Sequence, residues 1–110
     1  MKKIGIIRCQ QTEDMCPGTT DFIVAAKGTH AFEHTGAVEI VGYVTCGGCP
    51  GKRAVPRAKL MVDRGAEIIV FASCISRGNP IGFKCPHFPD MRDAVRKKIG
   101  PDIEIIDYTH

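Results

Sequence analysis

The sequence predicts one α/β domain, residues 1–110, built on a four-stranded parallel sheet with helices on both faces. Three observations carry this. Four short apolar runs recur along the chain. The stretches between them carry helical spacing or helix start and stop signals. Within the runs, apolar residues follow one another rather than alternate with polar ones, as in strands covered on both faces.

Ile4-Gly5-Ile6-Ile7 is the first strand and ends at Arg8-Cys9. A polar stretch, Gln10 to Asp14, leads to Cys16-Pro17-Gly18. Thr19 or Thr20 can cap a helix through Asp21, Phe22, Ile23, Ala25 and Ala26. Two ends are open for that helix: Gly28, or a continuation through Phe32. Val38 to Val44 is the second strand. Pro56 suits a first helical position, and the helix runs through Leu60 and Met61 to Gly65. The third strand, Glu67 to Ala72, ends at Ser73-Cys74. A loop from Ile75 to Pro89 holds Cys85 and His87. Asp90 opens a helix with Met91, Ala94, Val95 and Ile99 on one face. Ile103 to Tyr108 is the last strand, followed by Thr109-His110. The order is βαβαβαβ. Right-handed crossovers then give a three-layer sheet of order 2-1-3-4, a Rossmann-like arrangement of flavodoxin type shortened by one strand.

The formal net charge of +3 is slight, and aromatic residues are not interleaved with the basic ones. A nucleic-acid partner therefore has no support. No apolar run approaches membrane-spanning length, so no membrane partner is expected. Lys2-Lys3 followed by Ile4 to Ile7 imitates a signal peptide, but the run is short and Arg8 interrupts it. The expected location is the cytoplasm. There, six cysteines read as metal ligands or redox thiols rather than structural disulfides.

In an open parallel sheet, ligands bind beyond the carboxyl ends of the strands. Cys9 follows strand one, Cys46 and Cys49 follow strand two, and Cys74 follows strand three. Cys16 and Cys85 lie in loops leaving strands one and three. A cysteine used as a small core hydrophobe belongs inside an element, yet none of the six lies inside a predicted strand or helix. The centre of the pattern is Cys46-Gly47-Gly48-Cys49-Pro50-Gly51-Lys52. Its glycines let the backbone fold back so that two thiols face one point. Proline follows Cys16, Cys49 and Cys85 and stiffens each loop. The candidate metal ligands are Cys9, Cys46, Cys49, Cys74 and Cys85. Cys16, His87 and His110 stand behind them.

Other signatures fail on the letters. A Cys-x5-Arg phosphatase loop would need arginine where Lys52 stands. Gly47 to Gly51 is one residue short of a P-loop, and Arg53 replaces the hydroxyl residue. The first turn lacks GxGxxG. A thioredoxin-like CxxC sits at a helix N-terminus, whereas the helix here is predicted to start at Pro56. His30 and His34 are four apart, a pairing more typical of a solvated face.

At these residues the sequence resembles the CGGC domain family of bacterial and archaeal proteins. The shared features include Arg8-Cys9, Cys16-Pro17, Cys46 to Lys52, Gly65-Ala66, Ser73-Cys74, Cys85-Pro86 and Thr109-His110. The resemblance implies zinc binding and names no reaction. Zinc held by four of the candidate thiols is the first reading. An iron–sulfur cluster is the second, on the same donors. A dithiol or metal-assisted enzyme using Ser73, Arg77, Lys52 and His87 is the third, and a binding module with spare thiols is the fourth.

Overall fold

A computed structural model describes residues 1–110. Its strands are β1 (Lys3–Arg8), β2 (Glu39–Thr45), β3 (Ile68–Phe71) and β4 (Glu104–Ile106). Its helices are α1 (Thr19–Lys27), α2 (Ala54–Asp63), the short α3 (Ser73–Ser76) and α4 (Phe88–Ile99). The sheet order is β2-β1-β3-β4, and every pairing is parallel, as the apolar runs predicted. Right-handed crossovers put α1 on one face and α2 with α4 on the other.

The core follows from strand composition. Ile4, Ile6 and Ile7 of β1, and all four residues of β3, are buried. These are the two central strands, so both of their faces are covered. The α1 side of the sheet is filled by Val24, Ala25 and Phe32. On the opposite side Phe71 meets Phe88 of α4 edge to face, with ring centroids 5.3 Å apart.

Gly5 and Gly42 are partners across β1 and β2. Together they leave a notch for Met61 of α2. A methyl group added at either glycine would come within 2.7 Å or 2.6 Å, respectively, of the Met61 sulfur. The missing side chains thus let α2 approach the sheet closely.

Several boundaries differ from the sequence reading. Thr19 is the first residue of α1, and Gly18 occupies the cap position at φ 90°. An added side chain there would strike the Tyr43 hydroxyl, so glycine is required. Gly28, at φ 69°, closes α1, and His30–Phe32 form a separate 3₁₀ turn. Helix α2 starts at Ala54 with Pro56 inside its first turn, and α4 starts at Phe88 with Pro89 inside its first turn. Proline is tolerated anywhere the amide has no helical acceptor, so it marks a first turn rather than one position. The stretch after β3 is not all loop, because α3 intervenes and places Cys74 inside a helix.

Replacing Gly42 with alanine should destabilise the fold by about 1–3 kcal/mol, the usual cost of forcing extra volume into a packed seam. Urea unfolding would measure this. An unchanged midpoint would show that Met61 does not need the notch.

Candidate functional site

The parallel strands discharge their chains at one edge, and the backbone ladder continues past the strand ends there. The Cys46 amide donates to the Arg8 carbonyl at 2.8 Å, and the Ala72 amide donates to the Ile7 carbonyl at 2.9 Å. The exits of β2 and β3 therefore lie on either side of the exit of β1. Across one of these seams the Cys9 amide donates to the Cys74 sulfur at 3.2 Å. That bond ties two loops together through a thiol.

A cavity of about 240 Å³ opens at this edge. Cys9, Cys49, Cys74 and Cys85 line it, with Ile81 and Phe83 supplying much of the apolar wall. These thiols come from four separate segments, three loops or turns and the short helix α3. Cys49 is exposed, Cys85 is half-buried, and Cys9 and Cys74 are buried. All six cysteines are free thiols.

Burial sets the electrostatics. It pushes the Cys9 thiol above its ordinary pKa, and the nearby Cys46 and Cys85 add to the effect. Burial likewise raises Cys74, against the hydrogen bonds from the Cys9 amide and the Thr12 hydroxyl. Both sulfurs are therefore protonated in neutral solution.

The remaining candidates fall elsewhere. Cys46 is buried near Cys9 but does not line the cavity. His87 borders a separate cavity with Lys52, Asp90 and Met91, between the CGGC loop and α4. Cys16 and His110 border another, together with Asp21 and the second side of Cys74. His34 pairs with Glu104 at 2.8 Å, away from the thiols.

A buried polar network supports this edge; sequence reasoning named Ser73, Arg77 and His110 but missed how they pair with Asp21 and Thr109. Asp21 accepts hydrogen bonds from the Tyr43 hydroxyl at 3.1 Å and from the Thr109 hydroxyl. The Ser73 hydroxyl oxygen accepts the amides of Thr109 and His110 at 3.0 and 2.9 Å. It also donates to the His110 carbonyl at 2.8 Å. Arg77 donates to the same carbonyl and lies 3.9 Å over the Tyr108 ring. The buried Arg8 guanidinium donates to the Cys16 carbonyl and holds that loop against β1. In the sequence Asp21 is only one residue of the first predicted helix, and the fold alone brings it to Thr109.

Fold and edge together define a small α/β domain that gathers free thiols at the carboxyl end of a parallel sheet. Residues 3–110 match the CGGC domain model, and the chain belongs to that family. It is 37% identical over 110 residues to "Uncharacterized protein MJ0582" of Methanocaldococcus jannaschii, covering 94% of this chain and 80% of that one. It is also 34% identical over 55 residues to "Uncharacterized protein MJ0766" of the same organism, covering 49% of this chain and 79% of the other. No solved structure matches the chain. No helix is long and apolar enough to cross a membrane.

Burial, with the Asp21 carboxylate second, pushes the Tyr43 phenol well above its ordinary pKa. The phenol then stays neutral in the fold while the unfolded chain can ionise it. Stability from this site is complete below the ordinary phenol range and falls as pH rises through it. In a Tyr108→Phe variant, where Tyr43 is the remaining tyrosine, absorbance at 295 nm should rise together with loss of helical circular dichroism. Ionisation in the folded protein would contradict the buried Tyr43–Asp21 contact.

Proposed function

We propose that the protein binds a soft metal ion, zinc in the first place, through Cys9, Cys49, Cys74 and Cys85. The observation that carries this reading is that these four thiols line one small, largely apolar cavity. Zinc takes thiolates in a tetrahedron, and the donor set fits that preference. Cys46 stands next to Cys9 as a replacement ligand. Four thiolates would fill the tetrahedron of the ion, so when bound it would be a held, exchangeable cation in apolar surroundings.

The chain's own residues set the terms of binding. No group of three or more His, Cys, Asp or Glu side chains is already arranged to hold a metal ion. Binding therefore requires the thiols to draw together. Cys49 is free to do so, since Gly47 and Gly48 precede it at φ 81° and 99°. Cys9 and Cys74 must give up protons, so affinity falls as pH falls. The Cys9 amide already points at the Cys74 sulfur and favours its thiolate. A site that has to close and to lose protons suits exchange better than permanent stapling. The apolar core is continuous without it.

Elemental analysis of protein purified without oxygen tests the reading. A colourless protein with about one zinc per chain is expected. Brown protein with iron and sulfide would favour the iron–sulfur alternative on the same thiols. Replacing exposed Cys49 with serine should release the metal and move the melting temperature by no more than about 4 °C, as for a surface change in a domain of this size. A large fall in melting temperature that tracks metal loss would mean a structural site. Full retention of metal would remove Cys49 from the ligand set.

A further inference from the structure

The second cavity at this edge, about 240 Å³, lies beside the proposed metal site and shares Cys74 with it. Its wall gathers Cys16, Cys74, Asp21 and His110, with Met15 and Asn79 beside them. Asp21 is 4% exposed, and its position is held by Tyr43 and Thr109. Its Oδ1 lies 3.6 Å from Nε2 of His110. Positive charge on that ring therefore has a buried counter-charge. The His110 side chain is 26% exposed, open to the cavity's contents. Its backbone is held from both sides by Ser73 and Arg77, so the ring is carried on a fixed support. A thiol, an imidazole and a carboxylate on one wall are the parts of an activated sulfur nucleophile.

The geometry points to a thiol–disulfide exchange site in this cavity, with Cys16 as attacking thiol, His110 as its proton acceptor and Cys74 as resolving thiol, acting on a small organic disulfide. Two thiols on one wall favour a disulfide substrate, because hydrolysis or acyl transfer needs one. The cavity lies below the size range of sites for drug-sized ligands, so the substrate is small. His110 takes the Cys16 proton. The Cys16 sulfur bonds to one sulfur of R–S–S–R as the S–S bond breaks. The departing thiolate takes the proton from His110 and leaves as RSH. His110 then takes the Cys74 proton, the Cys74 thiolate attacks the Cys16 sulfur of the mixed disulfide, and the second RS thiolate takes that proton from His110 and leaves as RSH. Two protein thiols are oxidised to one disulfide, and R–S–S–R is reduced to two RSH. The proposal does not rest on the metal reading, and a failure to bind zinc leaves it intact.

The test uses the reduced full chain, with a chelator present so that Cys74 is free, and hydroxyethyl disulfide as the probe. Site-resolved mass spectrometry follows each cysteine, and exposed Cys49 is the internal reference. Cys16 should react about 10-fold faster than Cys49, in keeping with base-assisted thiolate formation. A Cys16–Cys74 linked peptide should then replace the adduct. His110→Gln should slow Cys16 about 10-fold and leave Cys49 unchanged. Its backbone contacts to Ser73 and Arg77 are retained in that variant. Three results would overturn the proposal: Cys16 no faster than Cys49 in the unmodified protein, equal slowing of both thiols in the variant, or an adduct on Cys16 that never links to Cys74.

Discussion

All four strands run the same way, and every functional feature of this domain depends on that. Parallel pairing sends each strand's exit to one edge. β1 is central, so the loops after β2 and β3 flank the loop after β1. Three cysteines that are distant in sequence, Cys9, Cys46 and Cys74, become neighbours with no dedicated linkage between them. The bond from the Cys9 amide to the Cys74 sulfur is the local expression of this arrangement. It also makes a thiol part of the structural framework.

The edge separates two kinds of surroundings. On one side the thiols face Ile81 and Phe83, and burial favours the protonated form of Cys9 and Cys74. On the other side Cys74 meets a cavity with Asp21 and His110. The buried polar network under the second cavity spans α1, β2, α3 and the residues after β4. Hydrogen bonds satisfy its buried hydroxyls and carboxylate, as burial demands. The same network anchors Thr109 and His110 to the sheet edge, so the second cavity keeps its wall.

The fold was legible because short, β-branched apolar runs such as Ile68 to Val70, bounded by turn signals, fit a covered strand better than a helix. The delivery of the cysteines to one edge followed from the same pattern. What escaped was local direction and non-local pairing. Spacing joined Cys46 and Cys49, yet the glycine turn between them leaves one buried and the other exposed. Cys85 lines the cavity that Cys46 does not. Helix α3 was missed because four residues are too few to show a period, and Ser and Cys are weak helix formers. Asp21, Ser73 and Thr109 carry no shared motif, and long-range hydrogen bonds leave none.

In the proposed site, sulfur from separate segments closes around one soft ion. X-ray absorption at the zinc edge on the loaded full-length chain tests it most directly. A first shell of four sulfur atoms at about 2.3 Å is expected. A shell dominated by nitrogen or oxygen, at about 2.0–2.1 Å, would contradict it.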